Sequence, residues 1–280
     1  MEAKILSGRD IASEIRLGLK NDVEKLKGNG VQPGLAVIIV GDEPASRIYV
    51  NNKKKACDEI GIRSFEYALP AETSEEEIIE LIKTLNCDKN IHGILVQLPL
   101  PPHINDEKVL LTIDPDKDVD AFHPVNVGKI MIGNYRFLPC TPAGVIEMIH
   151  RTGIDLKGSE CVVVGRSNIV GKPMAMLLLH EHATVTVCHS RTKDLKTVCK
   201  RADVLVVAVG KPKLIKADFI KPGAVVIDVG TNRMENGKLC GDVDFEEAKG
   251  VASYITPVPG GVGPMTIAML MKNTVKAAEI

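Results

Sequence analysis

Five short apolar runs decide what class of fold this chain can adopt. "LAVIIV" (35–40), "GILVQL" (93–98), "CVVVG" (161–165), "DVLVVAVG" (203–210) and "AVVIDVG" (224–230) are each of strand length. Continuous apolar strands that alternate with helices belong to a parallel sheet covered on both faces. The helical patterns between them are clear. Ser7 opens one with Ile11, Ile15 and Leu19 at spacing four, ending near Gly28. Gly61 closes a second, and Ser74 with Glu77 forms a capping box ahead of Ile78, Ile82 and Leu85.

From Asn105 to Pro142 the alternation breaks into loops rich in Asp and Pro. It resumes after "PAGVIEMIH" with "CVVVG", a helix from about Ile169, "TVTVCHS", a helix to Arg201 and the last two apolar runs. Four strands at this spacing predict a doubly wound nucleotide-binding unit. The fold class expected is therefore α/β with two domains: 1–139, and a Rossmann-like 140–263. The apolar helix 264–280 is expected to pack back on the first domain.

At 280 residues the chain has room for two such cores. A formal charge of −1 argues against a general polyanion binder, so no nucleic-acid partner is expected. No apolar run approaches the roughly 20 residues that span a bilayer, and the start "MEAKILSGRD" lacks the apolar core of a signal peptide. The seven cysteines form no C-x-x-C pair and read as reduced thiols of a cytoplasmic protein.

Two acidic or histidine-rich stretches invite a metal reading and fail it. "DPDKDVD" (114–120) has alternate acids, but Val119 and Val125 stand where a calcium loop needs Gly and Glu. His180 and His182 are two apart and do not share a helix face. No metal site is expected.

The glycine loop "VVVGRSNIVGKP" places Gly165 and Gly171 six apart after a strand and before a helix, where free backbone N–H groups face an anion. Gly171 suits close helix–strand packing. NAD-binding units usually carry an acid about 20 residues further on, bonded to the ribose 2′-hydroxyl. Here the second strand ends in "CHSRT", with Ser190, Arg191 and no acid, while Arg166 lies in the first loop. Two arginines and a hydroxyl suit a 2′-phosphate, so NADP is the expected cofactor.

Ahead of that loop, Tyr49 and Lys53 stand four apart on one face of a helix. Such a pair follows the glycine loop in short-chain dehydrogenases, so the order here opposes that reading. Gln97 is the one polar residue inside "ILVQLPL", at the carboxyl end of a strand, where parallel sheets bind ligands.

"VGDEPASRIYVNNKKKACDEIGI", "GILVQLPLPPH", "KDVDAFHPVNVG", "CTPAGV", "VVGRSNIVGKP" and "YITPVPGGVGPMTIAML" occur in that order along nearly the whole chain. Together they resemble the bifunctional methylenetetrahydrofolate dehydrogenase/methenyltetrahydrofolate cyclohydrolase family. One departure is Ala121, where the family usually has Gly after the "DVD" acid.

The resemblance implies a folate domain carrying the tyrosine–lysine pair, an NADP domain, and a cleft between them. It makes Lys53 the catalytic lysine, Tyr49 the tyrosine stacked near the substrate, Gln97 the lysine's partner and Asp120 the acid that grips the pterin. Pro259, Gly260 and Gly261 are expected at the substrate as well, and Gly165, Arg166, Ser167, Ser190, Arg191 and Thr231 around NADP. It implies a homodimer acting on tetrahydrofolate derivatives in one-carbon metabolism and purine biosynthesis. The alternatives are a dehydrogenase without the cyclohydrolase step and a non-catalytic NADP-binding sensor. The proline-dense turns "PLPPH" and "PVPGGVGP" predict a cis peptide before Pro99 or Pro259.

Overall fold

The structure, a computed structural model, describes residues 2–279. In chain order its first part comprises β1 (Lys4–Ile5), α1 (Gly8–Gly28), β2 (Gly34–Val40), α2 (Pro44–Ile60), β3 (Arg63–Leu69), α3 (Glu75–Cys87), β4 (Gly93–Val96), α4 (Asp106–Thr112) and α5 (Pro124–Met131). There follow α6 (Cys140–His150), β5 (Glu160–Val164), α7 (Gly171–His180), β6 (Thr184–Cys188), α8 (Leu195–Cys199), β7 (Val204–Val207) and β8 (Val225–Asp228). The last elements are β9 (Asn232–Arg233), β10 (Leu239–Cys240), α9 (Phe245–Ala248), β11 (Tyr254–Ile255) and α10 (Val262–Ala277). Two compact units result: Met1–Ala12 with Thr141–Thr266, and Ser13–Cys140 with Ile267–Ile280. The first twelve residues, expected with 1–139, instead group with the later stretch, because β1 pairs in parallel with β11.

In the unit of residues 13–140, three parallel strands lie in the order β3-β2-β4. β2 is the central strand and every one of its residues is buried, which accounts for its unbroken apolar run. β3 is an edge strand with alternating exposure. The capping box of Ser74 and Glu77 starts α3, whose Ile78, Ile82 and Leu85 pack on Ile38 and Ile94 of the sheet. Truncating a side chain such as Ile82, which is fully buried, to Ala costs about 2–5 kcal/mol.

The other unit carries a six-stranded, all-parallel sheet in the order β1-β11-β8-β7-β5-β6. Counted from β5, the strands run 2-1-3-4-5, so the winding reverses between β5 and β7. Ligands of open α/β sheets bind at such a reversal, outside the carboxyl ends of the strands. The outer strands β1 and β11 are two residues each, too short to leave a periodic signal. The helix expected from about Ile169 begins at Gly171.

Candidate functional site

Helix α2 sets the position of Lys53. Glu43 accepts from the Ser46 N–H at 2.6 Å, Pro44 occupies the first turn, and Gly61 ends the helix at φ 86. Within the "KKK" run, Lys54 and Lys55 are exposed and Lys53 is 8% exposed. The Lys53 Nζ donates to Gln97 Oε1 at 2.9 Å, and Gln97 Nε2 donates to the Leu98 carbonyl at 2.7 Å. The Gln97 N–H donates to the Ile38 carbonyl at 2.8 Å, fixing it just past the end of β4. Tyr49 stands one turn before Lys53 with 42% of its surface exposed.

Asp120 reaches Lys53 from the loop before α5. Val119 packs into the core against Gly93, where a Cβ would approach Val119 Cγ1 to 2.7 Å. The residues on either side of Val119, Asp118 and Asp120, have different roles. Asp118 is buried and accepts from the His123 N–H at 2.8 Å and the Asn126 amide at 2.9 Å. It closes the loop; Asp120, half-buried, faces Lys53 and the Cys140 thiol. Asn273 braces the same segment from α10, donating to the Val119 carbonyl at 2.8 Å and the Leu138 carbonyl at 2.9 Å.

The electrostatics follow from burial. Desolvation lowers the Lys53 pKa from its ordinary 10.5, and the Asp120 carboxylate is the largest influence pulling it back up. Burial raises Asp120, and Lys53 with the Cys140 hydrogen bond opposes that rise. An amine held this way, partly stripped of water and oriented by an amide, is suited to proton transfer near neutral pH.

The second candidate site lies at the winding reversal. Gly165 has φ 134, and a Cβ there would approach the Ala208 carbonyl oxygen to 2.2 Å, so only glycine fits. A Cβ on Gly171 would meet the Gly165 oxygen at 2.3 Å, so the close approach is of the helix to the loop just past β5, where helix–strand packing was expected. Ser167 Oγ accepts from the Val170 and Gly171 N–H groups at 3.1 and 3.3 Å, which holds the loop over the start of α7. Arg166, Ser190 and Arg191 are exposed just past the carboxyl ends of the paired strands β5 and β6. The Gly165 N–H donates to the Cys188 carbonyl at 2.9 Å and so joins the two strand ends. Thr231 is exposed in the loop after β8. A glycine cradle flanked by arginines and free of acid at the end of β6 fits the adenine ribose phosphate of NADP.

Pro259, Gly260 and Gly261 form the turn between β11 and α10, in the same unit as this cradle. Gly260 has φ 104, and a Cβ on Gly261 would lie 2.5 Å from the Pro257 carbonyl oxygen. The peptides before both Pro99 and Pro259 are cis.

Residues 6–120 match the model of the tetrahydrofolate dehydrogenase/cyclohydrolase catalytic domain, and residues 139–280 match that of its NAD(P)-binding domain. The chain belongs to the tetrahydrofolate dehydrogenase/cyclohydrolase family. Bifunctional protein FolD of Acetivibrio thermocellus is 71% identical over 280 residues, covering 100% of this chain and 98% of that protein. The crystal structure of the bifunctional enzyme FolD, methylenetetrahydrofolate dehydrogenase/cyclohydrolase, from Campylobacter jejuni matches with a TM-score of 0.97 at 52% identity, covering 99% of both chains. The Trypanosoma brucei N5,N10-methylenetetrahydrofolate dehydrogenase-cyclohydrolase, complexed with NADP cofactor and inhibitor, matches with a TM-score of 0.95 at 42% identity, covering 100% of this chain and 98% of that one.

Where this family usually has glycine after the second acid, Ala121 adopts φ 57 and is fully buried. Alanine holds this left-handed backbone at a cost of about 1–2 kcal/mol. The Ala121 N–H still donates to the Asp118 carbonyl at 3.1 Å, and Asp120 keeps its place beside Lys53.

Proposed function

We propose that this protein oxidises 5,10-methylenetetrahydrofolate with NADP⁺ and then hydrolyses the 5,10-methenyl product to 10-formyltetrahydrofolate. In this reading residues 13–140 with 267–280 carry the folate chemistry, and 141–266 hold the cofactor. The observation that carries it is the buried Lys53, bonded to Gln97 and facing Asp120.

NADP⁺, when bound, supplies the hydride acceptor. The residues to hold it are Gly165, Arg166, Ser167, Ser190, Arg191 and Thr231. Arg166 and Arg191 present charge to the 2′-phosphate, and Gly165 lets the loop that faces the phosphates pack directly against Ala208. On the folate side, the Asp120 carboxylate matches the ring N–H and exocyclic amine of a pterin, and Tyr49 offers its ring for stacking. Pro259, Gly260 and Gly261 supply a turn whose backbone a ligand can approach closely.

The first step removes a hydride from the methylene carbon and leaves a methenyl cation that the folate nitrogens stabilise. That step asks the protein chiefly for alignment. In the second, water adds to the methenyl carbon and its oxygen loses both protons, one to solvent as the carbonyl forms and the other to the nitrogen whose bond to that carbon opens. Lys53 Nζ is the group that takes and returns this proton, and Gln97 holds it in place. The lowered Lys53 pKa supports the neutral amine this needs.

A homodimer in the cytoplasm, supplying one-carbon units to purine synthesis, is the setting this reading gives the enzyme. No described helix is long and apolar enough to cross a membrane. The test is to mix the protein with 5,10-methylenetetrahydrofolate and NADP⁺ while following NADPH and methenyl absorbance together. Formation of NADPH with only transient methenyl supports both steps. Stoichiometric methenyl that decays at the uncatalysed rate leaves a dehydrogenase alone, and the absence of NADPH rejects the reading.

A further inference from the structure

Two carboxylates outside this chemistry lie buried at the carboxyl end of the six-stranded sheet. Asp228 ends β8 at 3% exposure, and Asp242, just after β10, is fully buried. Asp242 Oδ2 accepts the N–H groups of Val209 at 2.7 Å and Gly210 at 2.9 Å. Its Oδ1 accepts the Lys211 N–H and the Asn232 side-chain amide, both at 2.8 Å. Three successive backbone N–H groups thus converge on one internal anion, the arrangement by which loops elsewhere hold a bound phosphate.

Asp228 fixes Asp242 in turn. Its carboxylate accepts from the N–H groups of Asp242 and Gly230, each at 3.0 Å, and of Val243 at 2.8 Å. Its own N–H donates to Thr256 Oγ1 at 2.8 Å. The chain makes room for both acids: a Cβ on Gly230 would lie 2.2 Å from the Asp242 carboxyl carbon, and one on Gly241 1.8 Å from Asp228 Oδ2.

What these acids hold is more telling than how they are held. Residues 209–211 directly follow Ala208, whose carbonyl oxygen fills the space that a Gly165 Cβ would need. Ala208 is also bonded to the strand before that loop, its N–H donating to the Val164 carbonyl at 2.8 Å. In the neighbouring loop Thr231 is pinned on both sides, Gly230 to Asp228 and Asn232 to Asp242. The acids therefore grip the loop after β7, which borders the winding reversal, and the loop after β8 beside it.

We propose that Asp242 is the positioning residue that holds the loops after β7 and β8 ready to receive NADP, with Asp228 as its anchor. The proposal rests on the reading that the cofactor lies over the carboxyl ends of β5, β7 and β8. Asp242 touches no reacting atom; it acts through the backbone of Val209, Gly210 and Lys211 and through Asn232.

The experiment compares Asp242→Ala, Asp242→Asn and a control, Val226→Ala, which thins the same core and leaves both carboxylates and their hydrogen bonds in place. Calorimetric titration with NADP⁺ is paired with amide exchange measured before any NADP⁺ is added. Asp242→Ala should lose protection at residues 209–211 and bind NADP⁺ at least ~10-fold more weakly, the size of one lost hydrogen bond to a charged group. Hydrolysis of supplied methenyltetrahydrofolate should stay within about 2-fold of the parent, as for a change remote from that step. Val226→Ala should lower thermal stability yet bind NADP⁺ as the parent does. Should Asp242→Ala fail to fold, Asp242→Asn carries the test, because an amide keeps the volume and turns a donor toward N–H groups. A folded Asp242 variant with parental NADP⁺ affinity overturns the proposal, as does an equal loss of affinity in Val226→Ala. A parent protein that fails to bind NADP⁺ overturns the cofactor reading beneath it instead.

Discussion

Lys53 and Gln97 are joined by a single bond of 2.9 Å from Nζ to Oε1, and the other end of the same amide is tied to the Leu98 carbonyl at 2.7 Å. Turning the amide over would break both bonds, so the orientation of the lysine is set by a residue 44 positions away in the chain. Gln97→Met keeps the length of the side chain and removes the acceptor. Methenyltetrahydrofolate hydrolysis should fall roughly 10- to 100-fold, the equivalent of one charge-assisted bond. NADPH formation should fall less. Equal losses in the two steady-state assays would mean that Gln97 shapes the pocket without orienting Lys53.

Asp120 acts on Lys53 through charge. Its carboxylate is the main influence opposing the burial that lowers the lysine pKa. Asp120→Asn removes that anion, so the neutral amine should persist to lower pH. The rising limb that Lys53 gives the pH profile of methenyl hydrolysis should then move to lower pH. Folate binding should weaken at the same time, because one acceptor of the pterin donors is lost. A limb that stays in place or moves upward would contradict the coupling.

Cofactor choice is expected to rest on Arg166 and Arg191. Replacing either with Ala should weaken NADP⁺ binding by roughly 1.5–3 kcal/mol and spare NAD⁺. Titrations with both cofactors decide this, and equal losses would reject a 2′-phosphate role.

Asp228 gives stability a pH dependence of defined sign. Burial is the largest cause that pushes its pKa from 3.8 to about 7; the neighbouring Asp242 charge adds to it, and the N–H groups of Val243, Asp242 and Gly230 oppose it. A group that holds its proton more tightly in the folded state stabilises that state fully below its unfolded pKa. The contribution is lost as pH rises through the folded value. Denaturation followed from pH 4 to 8 should therefore show a falling component, on the order of 4 kcal/mol for a shift of this size. Asp228→Asn should abolish that component. A variant that retains the full slope would assign it elsewhere.

The sequence makes the layered architecture legible because buried parallel strands are apolar throughout, as β2 and β7 are. The capping box at Ser74 and the glycine stop at Gly61 were readable because each is a local device. Gln97 stands out as the one polar residue of an apolar run, whereas Lys53 lies in a charged run and is marked by its spacing of four from Tyr49 and by the family resemblance. Asp118 was hidden in an acidic run that resembles a solvated loop, and only the packing of Val119 under Gly93 reveals that the run turns inward. Asp228 and Asp242 carry no sequence signal for a related reason. Apart from the Asn232 amide, their carboxylates are held by backbone N–H groups contributed by three loops, and no spacing in the chain encodes such a convergence. The outer strands β1 and β11 pair across most of the chain with two residues each, so the membership of the first twelve residues was decided by a contact that periodicity does not record.

The most direct test of the account is Lys53→Met, assayed on the two steps separately, with the exposed Lys54→Ser as the control. Methenyltetrahydrofolate is supplied to measure hydrolysis, and methylenetetrahydrofolate with NADP⁺ to measure hydride transfer. A well-placed proton-transfer group contributes about 10²–10⁴-fold, so hydrolysis should fall by that order. Hydride transfer should be reduced less, methenyltetrahydrofolate should accumulate in the coupled reaction, and Lys54→Ser should match the parent in both. Hydrolysis at the parental rate in folded Lys53→Met would contradict the account.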